Sequence, residues 1–300
     1  MRKYFSLIKR VICPPTKKDL HGFEYTVKEL VGICENIQKN PIEHGKPLNP
    51  EILDYKRSDT VFILGSGPSI NEITDQEWRH IAEHDSMGFN FWVIHSFVPT
   101  FYIFQGCSES MMNAFKGEGE KYKDVPFMVR GSSFSKGLID FSDDRLSSVT
   151  NNPVFYIREY PISSRCSIEI DLLLRYVDAL GLLTHGMISG FVPKWRGTLG
   201  LLISLCYQMG YKKIVLCGMD MHKADHFWDY GYYKKFRKKY NLPREGASTI
   251  THFTDEIRSP NTVPRYVRHL RDWMADKAGV EIFVINEGTI LFPEIRKYEI

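Results

Sequence analysis

From about residue 58 onward the chain alternates short apolar runs with longer amphipathic stretches. Val61-Phe62-Ile63-Leu64 is the first such run, and Gly65-Ser66-Gly67-Pro68-Ser69 closes it. An apolar run of that length, bounded by glycines, predicts a buried strand, and the stretch about 75–83 behind it predicts a helix. Further strand-like runs fall at 87–91, 101–104, 126–129, 154–157, 213–217 and 282–285. Segments of helical character separate several of them, an alternation that predicts an α/β fold around a mainly parallel, Rossmann-like sheet. Residues 198–209 are apolar almost all round and predict a helix buried against that sheet, too short to cross a bilayer. Another helix is expected near 263–277.

Two segments break this pattern. Residues 1–18 contain Arg2, Lys3, Lys9, Arg10, Lys17 and Lys18 and no acid. On a helical wheel Tyr4, Leu7, Ile8 and Val11 share one face and the first four basic residues take the other, until Pro14-Pro15 ends the helix. Such a helix either lies on an anionic membrane surface or packs its apolar face on protein. The segment 20–57 reads as helix and then loop, interrupted by Pro41, Pro47 and Pro50. The expected organisation is an N-terminal basic amphipathic helix and extension over 1–57, followed by one nucleotide-binding domain over 58–300. Within that domain, Tyr230, Tyr232, Tyr233, Lys234, Lys235, Arg237, Lys238, Lys239 and Arg244 form an aromatic-basic stretch with little core periodicity. It predicts a mobile surface lid over about 230–251.

Composition narrows the class only slightly. The 300 residues are 43% hydrophobic and 25% charged, enough chain for a full core. A net charge of +3 does not argue for a nucleic-acid partner. The six cysteines form no Cys-x-x-Cys pair, which suits a reduced, cytoplasmic protein. The basic N-terminus lacks the long apolar stretch of a secretory signal.

Candidate chemistry gathers at two strand ends. In the turn after the first strand, Gly65 and Gly67 let backbone N–H groups approach an anion, and a following helix N-terminus would add its dipole. The turn matches neither a dinucleotide fingerprint nor a P-loop, and a ligand-free tight turn needs the same residues. In the second place, Gly210-Tyr211-Lys212-Lys213-Ile214-Val215-Leu216-Cys217-Gly218-Met219-Asp220 reads as helix end, strand and turn. It sets Gly218 and Asp220 at a carboxyl strand end, the edge where open α/β sheets bind ligands. An acid there either accepts bonds from ribose hydroxyls or caps the next element.

These motifs resemble those of the bacterial sialyltransferases of glycosyltransferase family 42 and related nonulosonate transferases. Gly-Ser-Gly-Pro-Ser is similar to their Gly-Asn-Gly-Pro-Ser turn, with Ser66 in place of asparagine. Arg196-Gly197-Thr198-Leu199-Gly200 resembles their Arg-Ile-Thr-Ser-Gly and runs at the same distance into the Gly-Tyr-Lys-x-Ile-x-Leu-x-Gly-x-Asp pattern of 210–220. Asn90 stands where the family has a nucleotide-contacting asparagine, and 281–295 follows its late strand and loop. The resemblance spans about 60–295.

It implies a GT-A-like domain that transfers an acidic 2-keto sugar (sialic acid, another nonulosonate or Kdo) from a CMP-sugar to a cell-surface glycan or glycolipid. Transfer would be inverting and independent of metal or other cofactor, and no convincing Asp-x-Asp pair stands in the sequence to hold one. Carried over residue by residue, Gly65, Ser66, Gly67, Pro68, Ser69, Asn90, Gly218 and Asp220 would hold the nucleotide. Arg196, Thr198 and Gln105 would line the donor pocket. His252 would be the general base, and His222 and His226 would assist departure of CMP where the family has tyrosines. The same fold also serves pterin-diphosphokinase-like nucleotide enzymes, and a non-catalytic nucleotide-binding module in a glycan-assembly complex is a third reading. The enzyme is expected in the cytoplasm with residues 1–15 touching the inner membrane face, and a homo-oligomer is compatible with the sequence.

Overall fold

The computed structural model describes residues 28, 46–104, 108–132, 154–162, 167–195, 197–221, 225–242 and 262–300. The expected N-terminal helix lies outside them, as do 243–251 of the expected lid. The strands are β1 (Lys46–Pro47), β2 (Thr60–Leu64), β3 (Asp85–Phe89), β4 (Phe101–Phe104), β5 (Phe127–Ser132), β6 (Val154–Ile162), β7 (Phe191–Trp195), β8 (Lys213–Cys217) and β9 (Glu281–Val284). They form one sheet in the order β1-β6-β5-β4-β3-β2-β8-β9, with β7 also beside β6. Every pairing between them is parallel. The fold is therefore α/β and Rossmann-like, as the alternation of runs predicts.

The helices are α1 (Asp75–Ala82), α2 (Glu109–Glu118), α3 (Ser167–Ala179), α4 (Thr198–Gln208), α5 (Lys234–Tyr240) and α6 (Val263–Ala278). Alternation along the strands feeds two cores, one on each face of the sheet. Val61 and Ile63 of β2 join one with α3, α4 and α6, while Phe62 and Leu64 join the other with α1, α2 and α5. In α3 the buried positions Ile170, Leu173, Leu174 and Val177 keep helical spacing. From Leu199 to Gln208 every residue of α4 is buried, which explains its all-round apolar sequence. No helix among the described residues is long and apolar enough to cross a membrane.

Several elements differ from expectation for identifiable reasons. Residues 158–162 carry β6 five residues past the apolar run, and within them the buried Glu159 finds cationic partners on β5 and β7. β7 carries Pro193, which removes a ladder donor, and its position beside β6 alone tolerates that. Residues 46–55 contribute β1 and a 3-10 turn whose Ile52 is fully buried, so this part of the extension belongs to the sheet. Phe236, Tyr240 and Leu242 are buried, so α5 is anchored on the core while Tyr230, Tyr232 and most of its lysines stay exposed. Lys239 and Tyr240 both reach Glu118 of α2, and Arg237 pairs with Asp229.

Candidate functional site

Strand order sets the site. From β2 the chain builds outward through β3, β4, β5 and β6 on one side, and β8 and β9 lie on the other. The crevice outside the carboxyl ends of β2 and β8 is thus a topological switch point, the usual ligand site of such sheets. In register, Leu64 faces Cys217, so the two turns singled out in sequence leave the sheet side by side.

Backbone and side-chain bonds lock these turns together. Gly65 N donates to Cys217 O at 2.8 Å and Gly67 N to Gly218 O at 2.9 Å. A Cβ on Gly65 would lie 2.5 Å from Gly218 O, and one on Gly67 would lie 2.7 Å from the same atom. Gly218 has φ +65, and its missing side chain leaves room for Ile70. Beyond the glycines, Ser69 N donates to Asp220 Oδ2 at 2.8 Å and Ser69 Oγ to Asp220 Oδ1 at 2.6 Å. Thr289, in the loop after β9, closes the floor by donating to Met219 O at 2.8 Å.

Asp220 is only 3% exposed, and both its oxygens accept from Ser69. In this arrangement its carboxylate holds the glycine turn rather than reaching out to a ribose. The dipole expected behind the turn is also missing. Pro68–Glu72 is a 3-10 turn, and α1 begins only at Asp75, its N-terminus satisfied by a Thr74–Glu77 capping box.

The open side of the turn is half-buried Ser66, Gly67 and Pro68. Asn90 comes to it from the end of β3 with φ +54, and its Nδ2 donates to Ser66 Oγ at 3.1 Å. The Tyr102 hydroxyl holds the Asn90 carbonyl from below. Ser66 O accepts from Phe227 N at 2.9 Å, which brings His226 to the rim, its ring 4.2 Å from that of Trp228. Trp228 Nε1 is buried and has no hydrogen-bond partner among the described residues. Gly65–Ser69, Asn90, Gly218, Asp220 and His226 therefore converge on one place, where the Ser66 hydroxyl, the Asn90 amide and the His226 imidazole edge a turn whose Gly65, Gly67 and Ser69 N–H groups bond inward. That chemistry suits a ribose phosphate.

Thr198 is elsewhere. It opens α4, where Arg130 of β5 donates to its Oγ1 at 2.9 Å, and β5 is the third strand along from β2. Arg196, Gln105, His222 and His252 lie outside the described residues. Sequence reasoning missed Arg130 and its partner Glu159. The signal was present as opposite charges interrupting two apolar runs that become neighbouring strands.

No protein-family model matches the sequence, and no curated protein matches it. Among solved structures the chain is similar to a monofunctional alpha-2,3-sialyltransferase from Campylobacter jejuni, at 16% identity and a TM-score of 0.38. That match covers 81% of this chain and 82% of the other. The fold assignment stands on strand order and register, not on that likeness.

Proposed function

We propose that the chain is a glycosyltransferase that takes an acidic 2-keto sugar from a CMP-sugar and passes it to a glycan or glycolipid. The observation that supports this most is the stapling of Gly65–Ser69 to Gly218–Asp220 at the switch point. These are the segments whose sequences resemble family 42 sialyltransferases, and they form one cradle.

In this reading the cytidine monophosphate lies over Gly65–Ser69 with Asn90 beside it. Asp220 acts through Ser69 by holding the turn open. Thr198, Arg196 and Gln105 line the sugar pocket. His226 and His222 donate hydrogen bonds to the departing phosphate, which lowers the barrier as negative charge builds there. His252 takes the acceptor hydroxyl proton, a task suited to an imidazole that is mostly neutral near pH 7. Inversion follows if the acceptor attacks opposite the departing CMP. Residues 1–15 hold the enzyme at the inner membrane face beside a lipid-linked acceptor.

A thermal-shift series with CMP, CDP, UDP, ATP and GTP, with and without magnesium, tests the assignment. Ligands that bind only the folded state raise its apparent stability. Stabilisation by CMP or CDP without metal is expected. Stabilisation only by ATP with magnesium would favour the diphosphokinase-like reading and overturn this one.

A further inference from the structure

Helix α5 carries unpaired charge on one side. Phe236 and Tyr240 stand four apart and are buried, which fixes the side that faces the core. Lys234 and Lys238, also four apart, fall opposite them and are exposed, with exposed Lys235 alongside. None of these three lysines forms an ion pair among the described residues, whereas Arg237 pairs with Asp229 and Lys239 with Glu118.

The chain entering α5 adds exposed rings to this charge. Tyr232 is 64% exposed and Tyr230 46%, large side chains left in solvent where most others of the fold are buried. Lys235 Nζ lies 3.6 Å from the centre of the Tyr232 ring, so ring and charge form one patch. Anchoring α5 does not require the patch, because Phe236 and Tyr240 already hold the helix to the core.

The composition of the patch selects its partner. A lysine is a point charge that responds to charge density, while a single carboxylate or phosphate is read by shape through the arginine fork. The arginine of α5 is engaged with Asp229. Tyrosine exposed beside lysine suits a lipid–water interface, where the ring sits among headgroups and the ammonium reaches the phosphates.

We infer that the outer face of α5, with Tyr230 and Tyr232, docks on an anionic lipid surface, as a contact separate from the one proposed for residues 1–15. The mounting of α5 gives this contact a use. Arg237 ties the helix to Asp229 at 2.9 Å, and in the same 3-10 turn Phe227 N donates to Ser66 O at 2.9 Å. The Tyr233 and Ser96 hydroxyls share a further hydrogen bond at 3.1 Å. Docking through α5 therefore holds the Ser66 rim at a set distance from the bilayer, which suits an acceptor carried on a lipid. That use rests on the transferase reading above, and the docking itself does not.

The test is co-sedimentation of the full chain with phosphatidylcholine vesicles that contain or lack phosphatidylglycerol, at low and high salt. Wild type should bind the anionic vesicles, release them as salt screens the charges, and ignore the neutral ones. Lys234→Gln, Lys235→Gln and Lys238→Gln together should weaken partitioning about hundredfold, close to fivefold per lysine. The same three changed to Arg should bind as wild type does, and Tyr232→Ser should weaken binding while keeping its salt dependence. Repeating the triple Gln change with Arg2, Lys3, Lys9 and Arg10 also changed to Gln isolates α5 from the N-terminus, and the loss should be of the same order. Calorimetric titration with CMP should be unchanged in the triple variant. A wild type that ignores anionic vesicles, or a loss under about threefold in either background, would overturn the inference and leave CMP binding standing. So would unchanged vesicle binding with lost binding to a soluble sialic acid polymer, which would assign the patch to an acidic glycan. A triple variant whose CMP affinity falls along with its vesicle binding would overturn it as well. A wild type that binds anionic vesicles but not CMP would overturn the transferase reading alone.

Discussion

Ser69 gives both of its donors to Asp220, one to each carboxylate oxygen, across 151 positions of sequence. The pair joins the turn after β2 to the turn after β8, and so fixes the spacing of the crevice between them. Ser69→Ala leaves a buried carboxylate oxygen without its hydroxyl, which costs about 1–3 kcal/mol. Asp220→Asn keeps its oxygen on Ser69 N and turns its Nδ2 toward Ser69 Oγ, which then accepts, so its cost is the loss of two charge-assisted bonds, of a similar size. Urea unfolding of the two single variants and the double should show the second change adding little to the first. Nucleotide affinity should fall in all three.

The glycines of the turn give a paired comparison. Gly67→Ala would push its Cβ to 2.7 Å from Gly218 O, so it should weaken CMP binding by about tenfold or more through displacement of the cradle. Gly181 also has φ +68, but a Cβ there meets open space. Gly181→Ala should cost about 1–2 kcal/mol of backbone strain and leave CMP affinity unchanged. Titration calorimetry beside a denaturation curve separates the two effects.

Acid should loosen the face of the sheet that carries α5. His95 is buried between Trp92, with ring centres 4.4 Å apart, and Tyr233, at 4.8 Å, and its Nδ1 accepts from Phe97 N. Burial, helped by the charge of Lys121, pushes the imidazole down to about 3 from an ordinary 6.5. The unfolded chain therefore takes up this proton first as pH falls. Stability from His95 is complete above about pH 6.5 and is lost progressively from there toward pH 3. Urea midpoints between pH 7.5 and 5 should fall in the wild type, and His95→Phe should flatten that slope.

The general-base assignment predicts that His252→Ala keeps CMP affinity and loses transfer by about a hundredfold to ten-thousandfold. Transfer of a labelled sugar to a bacterial glycan extract, followed beside CMP titration, measures both. Wild-type transfer in the variant would remove His252 from the mechanism.

Apolar runs made the middle of the sheet legible. Val61–Leu64, 101–104 and 213–217 match β2, β4 and β8 to within one residue because, exposed Lys213 aside, every side chain of those runs is apolar and buried. Legibility failed where polar residues are buried with partners from distant segments. β3 begins two residues earlier than its apolar run, at Asp85 and Ser86. Asp85 is fully buried and accepts from Tyr211, Arg57 and Ser58, none of them near it in sequence. The same holds for Glu159, whose partners on β5 and β7 only the sheet brings together. Helix α5 went unseen because its five basic residues mask Phe236 and Tyr240, four apart on the face turned to the core. The two glycine turns were visible, yet that Asp220 would be spent on Ser69 was not, since spacing along the chain carries no information about register between β2 and β8.

Hydrogen exchange of the full chain with and without CMP, in EDTA, tests the central claim most directly, because it reports both whether the nucleotide binds and where. Slowed exchange in peptides covering 64–72 and 215–221, with no comparable effect from UDP or ATP, is the predicted result. Protection confined to other segments, or appearing only with ATP and magnesium, would contradict a CMP-sugar site at the joined turns of β2 and β8.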